Sequence, residues 1–273
     1  MNTVEEILIN HGVRMTDSIN FEIEARNRIN YLKDYLRSSR KHGLVLGISG
    51  GVDSTTAGRL CQIACEELRK EKYSAIFYAV RLPYIKQADE EDAQLALDFI
   101  SPDDIVTVNI EDSVDSIHHQ ISRHSGNTQQ SLDFHKGNVK ARMRMIAQYE
   151  IAGITDSLVV GTDHNSELVP AFYTKWGDQA CDITVLDGLN KRQVQRLSEI
   201  LCAPEKLYEK LPTADLEELR PGLLDEVALG FSYDDLDDFL EGIAIDQIVI
   251  DKICAQYEKT RHKRDWPISY TNK

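Results

Sequence analysis

Apolar positions along the chain follow two periods. Over residues 21–38, Ile23, Ile29, Tyr31, Leu32, Tyr35 and Leu36 form a stripe at helical spacing. The run Leu44-Val45-Leu46-Gly47-Ile48 then predicts a short buried strand, and residues 55–70 predict a helix. Strand-like runs recur at residues 74–80, 105–108 and 158–160, separated by helical patterns over 89–100, 113–124 and 130–149. Strand alternating with helix implies right-handed crossovers, so the expected fold is α/β: an open, mainly parallel twisted sheet with helices on both faces. Beyond Lys191 the pattern turns helical, near residues 191–201, 233–240 and 245–259, which predicts a helical C-terminal part. With no repeat and no Pro/Gly linker, residues 1–273 read as a single domain.

Composition adds exclusions. No apolar run approaches the roughly 18 residues of a membrane span. The first ten residues, with Glu5 and Glu6, lack the basic start of a signal peptide, so a cytoplasmic protein without a membrane partner is expected. Five cysteines at irregular spacing suit neither a disulfide framework nor a zinc site, and Cys61 and Cys65, four apart on a helix, read as core. A net charge of -14 disfavours nucleic acid as a partner. An anionic small substrate stays possible only if basic residues are gathered locally.

The chemistry starts at Gly47-Ile48-Ser49-Gly50-Gly51-Val52-Asp53-Ser54, between a strand and a helix. Successive glycines let the backbone approach an oxyanion. Ser49, Ser54 and Thr55 offer hydroxyl donors, and the free N–H groups of a helix start form an anion site. Asp53 repels phosphate but suits Mg²⁺, which takes one or two carboxylates plus phosphate oxygens. The segment is neither a Walker loop, lacking G-x-x-x-x-G-K, nor a G-x-G-x-x-G fingerprint. A tight turn with an Asp/Ser N-cap is the structural alternative.

The segment Ser49–Ser54 resembles the signature of the PP-loop (N-type) ATP pyrophosphatases, of adenine nucleotide alpha hydrolase-like fold, which cleave ATP between the α- and β-phosphates. That superfamily includes GMP, asparagine and argininosuccinate synthetases, tRNA-modifying enzymes and NAD synthetases. Further blocks narrow it: Ala79-Val80-Arg81-Leu82-Pro83-Tyr84 with Gln87-Ala88-Asp89-Glu90, Gly137-Asn138-Val139-Lys140-Ala141-Arg142-Met143-Arg144-Met145, Gly161-Thr162-Asp163-His164-Asn165-Ser166-Glu167, Phe172-Tyr173-Thr174-Lys175-Trp176-Gly177-Asp178, Leu189-Asn190-Lys191-Arg192-Gln193, Pro212-Thr213-Ala214-Asp215-Leu216 and His262-Lys263-Arg264. In this order they are similar to NAD synthetases, from about residue 20 to the C-terminus.

The resemblance implies an AMP-forming ligase that amidates deamido-NAD to NAD through an acyl adenylate, the final step of NAD biosynthesis. Its implied partners are ATP, deamido-NAD and ammonia, with Mg²⁺ as cofactor. It also implies Asp53 and Glu167 as metal ligands, and Asp53, Lys191 and Thr213 as catalytic. Residues 47–54, Arg81, Gln87, Thr162, Lys191 and Thr213 would bind ATP. Arg142, Lys175, Asp182, His262 and Lys263 would bind deamido-NAD, with Phe134 and Tyr149 as stacking surfaces or core residues. A homodimer with the substrate site at the interface is implied, and helix 130–152 is the candidate interface element. Glutamine-dependent relatives carry an added amidase domain; here the synthetase blocks fill the chain, so free ammonia is the expected donor.

The chain departs from the family pattern at several points. Val52 stands where Gln is common, so position 52 is expected to offer backbone only. Asn165 and Ser166 replace small alanines beside Glu167, adding polarity near the metal. Gly177-Asp178-Gln179-Ala180 replaces Gly-Asp-Gly-Gly and is expected to stiffen a loop over the substrate. Asp265 and Trp266 follow His262-Lys263-Arg264 where basic residues or Pro are usual. His118, His119, His124 and His135 lack metal spacing, and residues 234–238, rich in Asp, read as a solvated helix face beginning with an N-cap. Asp53→Asn is expected to cost turnover far more than fold stability. The competing readings are another adenylating amidotransferase, such as a GMP synthetase core, and an ATP-binding regulatory module without turnover.

Overall fold

The computed structural model describes residues 2–85, 90–123, 126, 128–214, 216–265, 267 and 269–270, without the side chains of residues 213 and 214. In chain order, α1 (Thr3–His11), α2 (Phe21–Ser39), β1 (Gly43–Gly47), α3 (Val52–Lys70), β2 (Ile76–Arg81), α4 (Glu90–Ile100) and β3 (Asp104–Thr107) are followed by α5 (Glu111–Ser122) and α6 (Gln129–Ile154). Next come β4 (Leu158–Gly161), α7 (Asn165–Leu168), β5 (Ile183–Thr184), α8 (Lys191–Ile200) and α9 (Glu205–Tyr208). The chain continues with β6 (Thr213–Ala214), β7 (Leu223–Leu224), α10 (Asp225–Leu229), α11 (Tyr233–Leu240), α12 (Gln247–Lys259) and α13 (Arg261–Arg264).

The sheet is parallel, as the strand–helix alternation predicts; it has five strands in the order β3-β2-β1-β4-β5, while β6 and β7 form a separate antiparallel pair. The chain steps outward from β1 to β3, then returns to lay β4 on the other side of β1. The order therefore reverses between β1 and β4, and the crevice beyond their carboxyl ends is where an open α/β sheet binds ligands. Val45 lies opposite Val159, so the turns after Gly47 and Gly161 leave the sheet side by side.

Period-two alternation splits the core between the sheet's faces. Leu44 and Leu46 pack with Leu32 and Leu36 of α2, Leu60 and Leu68 of α3 and Leu197 of α8. Val45 and Val159 point the other way, toward Val114 of α5 and Ala152 of α6. Each fully buried Leu contributes roughly 1.5–3 kcal/mol. Cys61 and Cys65 are fully buried in the first of these cores, as their helical spacing predicts. A third cluster joins α1, α11 and α12 through Ile7, Leu236, Phe239, Leu240, Ile253 and Tyr257. The helix α1, begun by an Asn2–Glu5 capping box, carries only Ile7 fully buried, too faint a stripe for periodicity to reveal. Among the described residues no helix is long and apolar enough to cross a membrane.

One reading of the acidic run is corrected. Ser232 does cap α11, but Asp237 does not lie on a solvated face: it is 1% exposed. Its carboxylate accepts hydrogen bonds from Ser166 Oγ at 2.6 Å and from the Arg192 amide at 2.8 Å. The buried face of α11 turns this one Asp inward, against the start of α8.

Candidate active site

The loop after β1 is shaped by its own polar atoms. Gly50 adopts φ +89, and a Cβ there would lie 2.7 Å from the Ala93 amide nitrogen, so glycine is needed for both conformation and space. The Thr55 hydroxyl donates to the Gly51 carbonyl at 2.7 Å, and the Ser54 hydroxyl reaches the same oxygen at 3.2 Å. Thr55 is fully buried, so its hydroxyl closes the turn and does not face a ligand, which corrects the expectation drawn from its type. Ser49 Oγ accepts from the Gly51 amide at 3.2 Å. The Gly47 amide donates to Gln148 Oε1 of α6 at 2.7 Å, a partner that sequence reasoning missed.

Beside this loop opens a cleft of ≈ 410 Å³. Of the expected ATP-site residues, Gly47, Ile48, Ser49, Gly51, Val52, Asp53, Ser54, Thr162 and Lys191 line it, together with Glu167. Gly50 belongs to the same turn. Arg81 is buried and paired with Glu90 at 2.7 Å, outside the lining. Gln87 lies outside the described residues, as does the side chain of Thr213; Pro212, next to it, lines the cleft. Arg144, Gln148, Phe172, Asp178, Lys210 and Asp225 also line the cleft and were not assigned from sequence. Arg144 and Gln148 sit four apart on α6, a spacing that puts both on one face.

At the floor, Asp53 from α3 meets residues from the β4 turn and from α8. Lys191 Nζ donates to Asp53 Oδ2 at 2.8 Å and Oδ1 at 3.1 Å. His164 Nε2 stands 3.3 Å from Asp53 Oδ1 and 3.7 Å from Glu167 Oε2. Burial pushes the Asp53 carboxyl up, but Lys191 and His164 outweigh it and hold the group well below the usual carboxylate range. Glu167 ends with its pKa at about 8, raised by burial and by the Asp53 charge against the pull of His164 and Lys191. Asp163 is also lifted to about 8, by burial and by the charges of Asp178, Asp53 and Asp187. One ligand atom each from Asp53, His164 and Glu167 lies within 4.8 Å of the others, with Asp53 and Glu167 side chains 18% and 20% exposed to the cleft. Two carboxylates at this spacing, open to a cleft, fit a hard divalent cation.

Lys191 is the first residue of α8, a position where a cation opposes the helix dipole. The surroundings offset this. Asn190 and Gln193 form a capping box, with the Gln193 amide donating to Asn190 Oδ1 at 2.9 Å. Asp237 accepts from the Lys191 amide at 3.3 Å, and Ser166 Oγ accepts from the same amide at 3.0 Å. The departure at Ser166 thus adds a polar link that joins the Glu167 turn to the start of α8. Asn165 accepts from the Gly188 amide at 3.0 Å and donates to the His11 carbonyl at 2.7 Å, tying the β4 turn to α1.

The expected dinucleotide residues divide into three places. Arg142 donates to the Lys175 carbonyl at 3.3 Å; Lys175 donates to the His262 carbonyl and to that of Asp265, the latter at 2.9 Å. Lys263 donates to the carbonyls of Ala171 at 2.9 Å and Tyr173 at 2.7 Å. Lys263 stands near Asp178 and Arg142, and among the described residues none of Arg142, Lys175, His262 and Lys263 pairs with a carboxylate within 4.0 Å. Asp182 lies elsewhere, its carboxylate accepting from the Val159 amide at 2.8 Å next to Tyr149. Tyr149 is half-buried against the core of Val45 and Val159, with its hydroxyl pushed to about 12 by burial and by Asp182. Phe134 is 52% exposed, which excludes the core reading. Along α6 these two rings stand roughly 22 Å apart, so one chain does not bring them together.

A family model described as NAD synthase matches residues 24–267. An NH(3)-dependent NAD(+) synthetase of Psychromonas ingrahamii is 55% identical over 262 residues, 92% of this chain and 94% of the relative. One from Limosilactobacillus fermentum is 54% identical, covering 94% of this chain and 93% of the relative. Among solved structures, an NAD+ synthetase from Burkholderia pseudomallei has a TM-score of 0.82 at 42% identity, covering 97% and 98% of the two chains. An NMN synthetase from Francisella tularensis has a TM-score of 0.80 at 28% identity, covering 92% and 99%. A glycine turn at the sheet's reversal point, facing two carboxylates and a buried lysine, and relatives matching over nearly their whole length lead to one conclusion: the chain belongs to the NAD synthase family.

Proposed function

We propose that the protein is an ammonia-dependent NAD synthetase, which converts deamido-NAD, ATP and ammonia to NAD, AMP and pyrophosphate. The observation that carries this is the adjacency of Asp53, Glu167 and Lys191 to the glycine loop, on a chain whose relatives at 54–55% identity bear that activity in their names. Ammonia does not displace oxide from a carboxylate, so the carboxylate is first activated. A nicotinate oxygen bonds to the ATP α-phosphorus and the bond to the bridging oxygen breaks, releasing pyrophosphate. Ammonia then bonds to the acyl carbon, the carbon–oxygen bond to AMP breaks, and nitrogen loses a proton.

Charge spreads over phosphate oxygens as the first step proceeds, so cations and aimed N–H groups supply most of the catalysis. The amides of residues 49–54 cradle the leaving pyrophosphate. Lys191, released from Asp53, pairs with phosphate oxygens, and Thr162, Arg81, Gln87 and Thr213 complete the ATP site. Mg²⁺ held by Asp53 and Glu167 would neutralise phosphate charge. Arg142, Lys175, His262 and Lys263 hold the dinucleotide's pyrophosphate and carboxylate; Asp182 accepts hydrogen bonds from it, and Phe134 and Tyr149 stack on its rings.

The separation of Phe134 from Tyr149 favours a homodimer in which two copies share each substrate. The exposed Ile146 and Ile154 of α6 supply apolar surface for that contact. The protein works as one catalytic domain in the cytoplasm, with no nucleic-acid or membrane partner. A GMP synthetase core is not favoured, because the close relatives are named for NAD synthesis.

The test is incubation with ATP, Mg²⁺, ammonium and deamido-NAD. NAD, AMP and pyrophosphate should form in equal amounts. Release of ADP, or turnover independent of deamido-NAD, overturns the assignment. Replacing deamido-NAD by nicotinate mononucleotide separates it from the activity named for the Francisella neighbour. Sedimentation measures the dimer.

A further inference from the structure

His164 has no role in the function proposed above. Its side chain is fully buried, yet among the described residues neither ring nitrogen makes a hydrogen bond of regular geometry. Buried polar atoms are rarely left in this state, and each exception calls for an explanation. Nε2 is close to two carboxylate oxygens, at 3.3 Å from Asp53 Oδ1 and 3.7 Å from Glu167 Oε2, both longer than a charged hydrogen bond of regular geometry. A ring serving chiefly as donor would sit closer, as the Lys191 ammonium does at 2.8 Å from Asp53 Oδ2.

The spacing suits a different task. Ligand atoms about 2.1 Å from one ion lie roughly 3 Å apart at right angles and roughly 4.2 Å apart when opposed. The ligand atoms of Asp53, His164 and Glu167 all fall within 4.8 Å of one another. His164 is the N-cap of α7 and its carbonyl accepts from the Glu167 amide at 2.9 Å, so the two side chains, three residues apart, rise from one face of a single turn. Asp53 meets them from the neighbouring strand–helix turn.

We propose that His164 Nε2 is a third protein ligand, with Asp53 and Glu167, to the divalent cation of this site. This rests on the reading of Asp53 and Glu167 as cation ligands. Imidazole is a softer donor than carboxylate or water and favours the later first-row ions over magnesium. Among the described residues Nδ1 meets no carbonyl or carboxylate of the kind that commonly fixes a metal-bound ring.

The test uses the full chain in excess over Mn²⁺ and ATP, without deamido-NAD. Pulsed electron paramagnetic resonance of bound Mn²⁺ should show a coupled nitrogen whose signature changes when the protein is grown with ¹⁵N-histidine, a label that excludes Lys191. His164→Asn should weaken Mn²⁺ binding about 10–100-fold and remove the coupling. Bound Mn²⁺ that depends on Asp53 and Glu167 but shows no histidine coupling overturns the proposal and leaves the carboxylate reading standing. Mn²⁺ binding indifferent to Asp53→Asn and Glu167→Gln overturns both. The wild-type spectrum decides even if His164→Asn fails to fold.

Discussion

The Lys191 ammonium lies 2.8 Å from the Asp53 carboxylate, across 138 residues of chain and with the lysine side chain only 5% exposed. Burial would lower the Lys191 pKa, but the Asp53 and Glu167 charges outweigh it and raise it. The pair is therefore a structural element as well as part of the proposed site, which changes the expectation for Asp53→Asn.

Removing one partner of a buried ion pair costs about 3–5 kcal/mol, because the other charge is left uncompensated. Asp53→Asn should lose both turnover and stability, while Asp53→Asn with Lys191→Met should regain most of the stability and none of the activity. Denaturant unfolding and NAD formation measure the two. An unchanged midpoint in the single variant contradicts the ion-pair reading.

Asp237 carries a pH dependence. Burial, opposed by Ser166 and Arg192, raises its carboxyl to about 6. An unfolded aspartate titrates near 4, so the folded state holds the proton more tightly, and this group's contribution to stability falls as pH rises from about 4 to about 6. Asp237→Asn should remove that slope, a difference of about 3 kcal/mol between the two ends of the window. Thermal unfolding of both proteins at several pH values tests it; parallel curves count against it.

Ser166→Ala deletes the hydroxyl that links Asp237 to the Lys191 amide. Loss of a buried partner should cost about 1–3 kcal/mol. Since the link sets the start of α8, kcat should fall by about tenfold with little change in the KM for deamido-NAD. Steady-state kinetics and calorimetry report the two effects separately.

At Gly50 a left-handed φ meets a close approach to α4. Gly50→Ala adds strain on the order of 1–3 kcal/mol and a methyl group 2.7 Å from a backbone nitrogen. ATP affinity should drop by at least about tenfold, read by titration calorimetry, whereas an alanine at Gly51, where the nearest atom would be 3.5 Å away, should be milder.

Lys175→Ala tests the basic cluster. It should raise the KM for deamido-NAD by roughly 10–100-fold, as expected for a lost charged hydrogen bond, and leave ATP binding unchanged. An equal effect on both substrates points to loss of the ties from Lys175 to the His262 and Asp265 carbonyls.

Local pattern by itself determined much of this protein. Periodicity located β1, β2, β3, β4 and the long helices, because amphipathic segments of that length carry their burial in the order of residues. The glycine loop, Glu167 and Lys191 were legible because their motifs pair residue type with spacing. Tertiary structure alone decided which side chains meet. Helix α1 and the two-residue β5 hold too few apolar positions to make a period. Nothing in the acidic run marks Asp237 as buried, since the face it occupies is set by packing of α11 against α7 and α8. Gln148 and His164 likewise belong to the site through the crossover that lays β4 beside β1. Sequence spacing records neighbours along one element; the charge balance at Asp53 arises between elements, where only the folded chain sets the distances.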